Sequence, residues 1–192
     1  FSGDSLGVNF STVPDATREL RFGRLLYDTP VGVNGVRVGA TASYSETWPG
    51  DDRRQLATNI KSNSFELRAS IDPLQTRKSA LRLTVAADYS DVSERDMLGT
   101  TYRDHIRTVD LRADYRLNDD LGGWNYLSLT LRQGIDVFGA SRKGDDFLSN
   151  FNSSNNFTLF SFAGTRIQKL NDVFSLKISA AGQVASTTLL TS

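Results

Sequence analysis

The stretch TVDLRADYRL, residues 108–117, alternates apolar and charged residues almost without interruption. The odd-numbered positions 109–117 are apolar, and the even-numbered positions 110–116 are Asp or Arg. A period of two is typical of a β-strand whose two faces meet different surroundings. One face of this strand is therefore charged along its length, and the other is apolar.

The same alternation recurs along most of the chain. We predict nine antiparallel strands, at about 4–13, 19–28, 35–46, 63–72, 79–90, 103–117, 123–137, 156–170 and 173–187. In the second strand the apolar phase is lost near Gly23–Arg24, which predicts a β-bulge there.

The connections alternate between short turns and long loops. Short turns are predicted at 29–35, 73–79, 118–123 and 171–172, and long loops at 46–62, 91–101 and 138–156. The strands exceed the length of about 5–6 residues that is usual in soluble sheets. A tilted strand that crosses a membrane needs about 9–11 residues. Turns at one end and long loops at the other are typical of outer-membrane β-barrels.

Composition argues against several classes of function. The chain has 192 residues, a formal net charge of zero, no Cys and a single His, His105. The balanced charge does not indicate a nucleic-acid partner. Without Cys or a second His, disulfides and Cys- or His-clustered metal sites are excluded. No phosphate loop, nucleophile elbow or metal-ligand spacing is present, so we predict neither an enzyme nor a bound cofactor.

We therefore predict an all-β fold, an antiparallel transmembrane β-barrel with its apolar face toward lipid and its charged face toward a watery lumen. A soluble β-sheet binding module is the alternative, because strands of soluble sheets also alternate. The charges would line a path for an extended polypeptide, or form ion pairs that stiffen the wall. The predicted lumen-lining residues are Arg37, Glu66, Arg68, Arg82, Asp88, Asp110, Arg112, Asp114, Arg116, Arg132 and Lys177.

Aromatic residues near the strand ends predict two girdles at the membrane interfaces. The girdle toward the long loops contains Tyr44, Trp48, Tyr89 and Tyr102. The girdle toward the short turns contains Tyr27, Tyr115, Trp124 and Tyr126.

The strand number predicts that the sheet belongs to a larger barrel. Complete bacterial barrels have an even number of strands. An open sheet would leave unpaired backbone groups in lipid. We expect residues 1–192 to form one partial barrel domain, about nine consecutive strands from the middle of the barrel.

Three segments resemble one family of transporters. LLYDTPVGVNGVRVGATASYSE (25–46), GGWNYLSLTLRQGID (122–136) and AGQVASTTLLTS (181–192) are similar to barrel segments of the two-partner secretion transporters, the hemolysin activation/secretion proteins. The likeness spans most of the chain. The family's VRGY/F loop and its partner motif fall outside these residues, so no motif residue is carried over.

The resemblance implies a monomeric barrel of about 16 strands in the outer membrane of a Gram-negative bacterium, preceded by POTRA domains. It implies that the partners are outer-membrane lipid and a large, mostly unfolded exoprotein of the hemolysin or adhesin type, which the channel exports. A general or solute-specific porin is the alternative channel.

Two polar segments need separate explanations. The Asn- and Ser-rich segment FLSNFNSSNNF (147–157) predicts a mobile loop that is free to contact a partner leaving the pore. The acidic pair Asp119–Asp120 lies in a predicted turn, where turn chemistry explains it better than catalysis.

Overall fold

The computed structural model describes residues 3–13, 19–32, 35–50 and 55–190, which form nine strands. The strands are β1 (Ser5–Thr12), β2 (Leu20–Val31), β3 (Val36–Thr47), β4 (Asn59–Gln75), β5 (Ser79–Asp96), β6 (Gly99–Asn118), β7 (Gly123–Gly134), β8 (Thr158–Lys169) and β9 (Ser175–Ala185). No helix in the described part of the chain is long and apolar enough to cross a membrane.

All nine strands form one antiparallel sheet in sequence order, β1 to β9. The prediction of an all-β antiparallel fold with nine strands is therefore confirmed. In the described residues β1 and β9 each have a strand on one side only, so the sheet is open.

The register keeps two chemically different faces apart across the sheet. Leu67 pairs with Ala87 and Ala87 with Val109, which places an apolar row on one face. One residue along, Arg68 shares a row with Ala86, Asp110 and Arg132 on the other face. We call these the apolar face and the charged face.

The apolar face is open to its surroundings. Leu67, Val85 and Leu111 lie near the middle of the sheet, and about half of each residue is exposed (50%, 50% and 51%). A soluble β-sheet module has to cover such a face, because large contiguous apolar patches are rare on soluble monomers. The described residues leave this face uncovered.

The predicted bulge at Gly23–Arg24 was wrong. Strand β2 pairs with both neighbours through this point without a register shift. Leu20 and Phe22 lie on the charged face together with Arg24, because Leu25 and Tyr27 occupy the apolar face. With these two apolar residues on the charged face, the alternation of side chains along β2 continues without interruption.

A bulge occurs instead in β4. The register shifts between Ile71 and Leu74, so that two residues of β4 face Arg82 alone in β5. The two residues of the bulge are Asp72 and Pro73, and proline suits a bulge because it has no N–H to give to the ladder. The strand therefore continues to Gln75, past the predicted start of a turn.

The predicted long loop at 91–101 was also wrong, because β5 and β6 continue through most of it. The two strands are joined by the tight turn Met97–Leu98. The Asp96 carboxylate accepts hydrogen bonds from the backbone N–H groups of Leu98 and Gly99, at 2.7 and 3.1 Å. These bonds close the turn at the tip of a long hairpin.

The predicted long loop between β7 and β8 is confirmed, and it bonds to the edge of β6. Strand β7 ends at Gly134, opposite Thr108, whereas β6 extends far beyond that row. Beyond the end of β7, Ile135 N donates a hydrogen bond to Arg107 O, and Ser141 N donates one to His105 O, both at 2.9 Å. Residues 135–157, which we call the strap, therefore take the place of a neighbouring strand.

Asn155 fixes the end of the strap. It is 1% exposed, and its side-chain oxygen accepts a hydrogen bond from Arg107 N at 3.0 Å. Its amide nitrogen donates to Arg107 O at 2.8 Å and to Ile135 O at 2.6 Å. The prediction of a mobile loop at 147–157 was therefore wrong for this part, because the side chain of Asn155 acts as a substitute strand partner.

Gly134 gives a first test of the strap. A Cβ on Gly134 would lie 1.7 Å from Asn155 O, whereas one on Gly164 would meet nothing closer than 3.9 Å. We expect Gly134→Ala to destabilise the full-length protein by about 2 kcal/mol, as overpacking does, and Gly164→Ala to have a much smaller effect. Urea unfolding followed by tryptophan fluorescence measures both. Equal stability of the two variants would contradict the close packing of the strap.

Candidate functional site: the charged face

The register places all eleven predicted lumen-lining charges on the charged face. Its row through β3 to β7, for example, contains Arg37, Ser70, Thr84, Arg112 and Thr130. The full set is Arg37, Glu66, Arg68, Arg82, Asp88, Asp110, Arg112, Asp114, Arg116, Arg132 and Lys177. Their common face follows from the pairing, and their contact with a lumen remains a prediction.

One cluster of charges spans three strands. Arg68 of β4 contacts Glu66 at 2.9 Å and reaches across β3 to Asp28 of β2 at 3.5 Å. Asp28 also forms an ion pair with Arg37. A Cβ on Gly39 would lie 2.9 Å from both the Arg68 guanidinium and the Asp28 carboxylate. Glycine at this position therefore leaves room for an ion pair between strands that are not neighbours.

Asp28 was missed by sequence reasoning. The expected bulge near Gly23 disturbed the assignment of faces along β2, so Asp28 had no assigned face. Strict alternation from Leu25 and Tyr27 on the apolar face would have assigned Asp28 correctly. The register pairs it with Gly39, on the charged face.

Asp72 is a second acidic residue that sequence reasoning missed. Its carboxylate accepts two hydrogen bonds from Arg82, at 2.7 and 2.9 Å. It is the last residue of the predicted strand 63–72, and alternation from Arg68 would have placed it on the charged face. The bulge keeps Asp72 opposite Arg82.

An enclosed ion pair joins β6 to β7. Arg132 donates to the two oxygens of Asp110 at 2.8 Å and 2.6 Å. The Asp110 side chain is 1% exposed, and that of Arg132 is 37% exposed. The second cation, Arg112, lies 3.9 Å from the same carboxylate. A bidentate contact of this kind holds both side chains in one geometry.

Toward the short turns, the charged face contains a cavity of about 330 Å³. The charged residues that line it are Asp72, Arg82, Asp114 and Arg116, beside Tyr126. The Tyr126 hydroxyl donates to Asp114 at 2.7 Å. Acidic and basic groups thus line one recess together.

The arginines and carboxylates of the charged face form a polar wall. The described residues contain no group of three or more His, Cys, Asp or Glu side chains that could hold a metal ion. The carboxylates described above each lie beside an arginine or a hydroxyl rather than beside a nucleophile. Such a surface offers many weak polar contacts to whatever passes over it.

The eight predicted girdle aromatics divide between the two faces. Tyr27, Tyr44, Tyr89 and Tyr115 lie on the apolar face. Trp48 follows the end of β3, with the Arg21 guanidinium 5.5 Å from its ring centre. The register places the other three, Tyr102, Trp124 and Tyr126, on the charged face, away from the face that is predicted to meet lipid.

The turn between β6 and β7 is held by Asp119. Its carboxylate accepts hydrogen bonds from Gly123 N at 2.8 Å, from Arg166 at 2.6 Å and from Asn125 at 3.1 Å. The Gly123 bond, followed by those of Asn125 and Arg166, lowers the pKa of Asp119 to about 2. The prediction that Asp119–Asp120 serves turn structure agrees with these contacts.

Comparison with known proteins identifies the fold. No protein-family model and no curated protein sequence matches the chain. A solved structure, CdiB from Escherichia coli, is similar with a TM-score of 0.80 and 17% sequence identity. The similarity covers 98% of this chain and 35% of the CdiB chain, so the present chain spans about a third of CdiB.

CdiB is a two-partner secretion transporter with a β-barrel fold. The predicted resemblance to this family is therefore confirmed at the level of fold. The nine strands have the architecture of part of such a barrel.

The pair Asp110–Arg132 gives a test of the wall. Arg132→Met would leave the enclosed Asp110 carboxylate without its main partner, and we expect a loss of about 3 kcal/mol in the free energy of unfolding. The double variant Asp110→Asn with Arg132→Met should recover part of that loss. Lys78–Asp120, whose side chains are 64% and 84% exposed, is the control pair. Equal effects of Arg132→Met and Lys78→Met in urea unfolding would contradict this account.

Asp119 gives a test that depends on pH. Folding lowers the pKa of its carboxyl group from 3.8 to about 2. Its stabilising effect is therefore complete above about pH 4 and is lost as the pH falls toward 2. We expect the stability difference between the parent and Asp119→Asn to be constant from pH 7 to 5 and to shrink below pH 4. Asp120→Asn is the control, and a difference that persists unchanged at pH 2.5 would refute the assignment.

Proposed function

We propose that this chain is part of an outer-membrane channel that exports a large, mostly unfolded exoprotein by two-partner secretion. The observation that supports this most is the similarity in fold to CdiB over 98% of the chain. The proposal extends that similarity from fold to activity, and it includes a Gram-negative outer membrane as the location.

The apolar face supports a membrane location. In β5 its apolar row runs from Leu81 to Tyr89, and the next residue on that face is Asp91. A tilted spanning strand needs about 9–11 residues, which is close to the length of this row. Lipid on this face would surround the exposed apolar side chains. The strand pairing supplies hydrogen-bond partners for the backbone groups inside the sheet.

The charged face supports the passage of a polypeptide. An extended chain presents both acidic and basic side chains, and a wall of one sign would retain the opposite sign strongly. Here arginines are paired with carboxylates, as in Arg68–Glu66 and Arg132–Asp110. Asp28 and Asp72 also reduce the excess of basic residues in the predicted set. The wall is therefore polar but has few unbalanced charges.

In this proposal the channel itself is passive and monomeric. POTRA domains elsewhere in the full-length protein would capture the exoprotein, of hemolysin or adhesin type, in the periplasm. The exoprotein would cross the lumen in extended form, and its folding outside the cell would make the transport directional. No cofactor is needed for these steps.

A solute channel is the second candidate, and the strap favours it. Ser149 N donates to Asp104 on the charged face at 3.1 Å, and the strap also lies against Gly134 on that face. A loop folded over the inner wall narrows a pore. Such a constriction would suit the passage of small solutes.

A secretion comparison distinguishes the two candidates. The gene for the full-length protein is deleted, and the culture supernatants of deletion and parent strains are compared by mass spectrometry. We expect one large protein to disappear from the supernatant and to return on complementation, because no other channel recognises that exoprotein. An unchanged supernatant together with slower uptake of small solutes would instead establish a porin.

A further inference from the structure

The strap exposes three phenylalanine residues. Phe138, Phe147 and Phe151 are 82%, 58% and 74% exposed. They belong to a single connection, between β7 and β8, at the long-loop end of the sheet. A fourth phenylalanine, Phe157 at the end of the strap, is only 6% exposed and packs against Gly134. The exposure of the three is therefore a property of their positions and not of the whole loop.

The exposed rings are attached to a fixed frame. Arg103 N donates to the carbonyl oxygen of Phe147 itself at 2.6 Å, and Ser141 and Asn155 bond to β6 on either side. Ser141 and Asn155 are buried, at 3% and 1% exposure. The frame holds the backbone beneath the rings, so little conformational freedom would be lost when a partner binds.

Two of the three phenylalanines have an uncommon backbone conformation. The φ angle is +48° at Phe138 and +63° at Phe147. Positive φ is unfavourable for a bulky residue, and Gly or Asn would adopt it more easily. An exposed ring at such a position contributes little to folding. Residues held in this way are more often found at binding sites than elsewhere.

The strap lies where the charged face ends. Asp104 and Ile106 lie on that face toward the long loops and are 0% and 8% exposed. The backbone N–H of Ser149, in the strap, donates a hydrogen bond to Asp104. The proposed path of the exoprotein follows the charged face toward the long loops. A polypeptide leaving that path passes the strap next.

We infer that Phe138, Phe147 and Phe151 form an aromatic contact surface for the unfolded exoprotein as it leaves the lumen. This inference rests on the proposed export function. An unfolded chain exposes apolar side chains at irregular intervals, and aromatic rings bind apolar groups of many shapes without a defined partner sequence. Weak contacts with several rings would guide such a chain and still allow it to move on.

Photocrosslinking in the full-length protein tests the contact directly. The crosslinker p-benzoylphenylalanine replaces Phe138, Phe147 or Phe151 one at a time, in cells that export the exoprotein. Control positions are Leu98, 88% exposed at the tip of the β5–β6 hairpin, and Leu121, 78% exposed in a turn at the opposite end. We expect ultraviolet light to link the exoprotein to the three strap positions and not to the controls. Links only to lipopolysaccharide, to a second copy or to the channel itself would overturn the inference.

A secretion assay tests the effect on transport. We expect the triple variant Phe138→Ala, Phe147→Ala, Phe151→Ala to slow export roughly fivefold, since each ring contributes a modest contact energy. The matched control is Met97→Ala with Leu98→Ala, which also removes exposed apolar side chains at this end of the sheet. Heat-modifiable migration shows whether each variant barrel is folded. Crosslinking uses single replacements, so it decides the question even if the triple variant fails to assemble.

The two proposals fail in distinguishable ways. If the parent protein exports no exoprotein, the proposed function is wrong and the aromatic surface loses its partner. If the parent exports normally while the strap positions give no link to the exoprotein, only the aromatic contact surface is wrong.

Discussion

The antiparallel register, continuous from β1 to β9, is the constraint on which both faces depend. Because side chains alternate, a slip of one residue in any strand would move its charges to the apolar face. The bulge in β4 shows how an irregularity is accommodated: it sets Asp72 and Pro73 together opposite Arg82, and Leu74 then returns to the apolar face beside Leu81. The other shift, at Glu94–Arg95, lies beyond the apolar row, where a change of face exposes no charge to an apolar surrounding.

Because the two faces are separate, the charged side chains have to find their ion-pair partners on the charged face. Pairing between adjacent strands does this for Asp110 and Arg132. The Arg68–Asp28 contact shows that pairing also extends across an intervening strand, where Gly39 leaves the space. The wall therefore stays polar with little net field, which suits the path proposed for an extended polypeptide. In that proposal the same ion pairs would also stiffen the wall.

Period-two alternation explains how much of the fold could be predicted from the sequence. It identified all nine strands and the common face of the eleven charges, because in most strands one face is apolar over its central part. It missed the extension of β5 and β6 through 91–101, where both faces are polar and alternation gives no signal. The aromatics of the predicted girdles were chosen by their distance from strand ends, which says nothing about face. Tyr126 illustrates this, because its hydroxyl bonds to Asp114 on the charged face.

The long loop could be predicted but not its packing against β6, because that packing follows from the unpaired edge of β6 and not from the composition of the strap. Strand β6 outlasts β7, so the backbone groups of Arg103, His105 and Arg107 need other partners. Backbone and side-chain groups of the strap supply them, with Asn155 taking the place of a strand residue. The same bonds bring the strap over the end of the charged face and hold its backbone there. A requirement of backbone hydrogen bonding thus determines where the exposed phenylalanines lie, and the position of the proposed aromatic contact surface follows from the unequal lengths of two neighbouring strands.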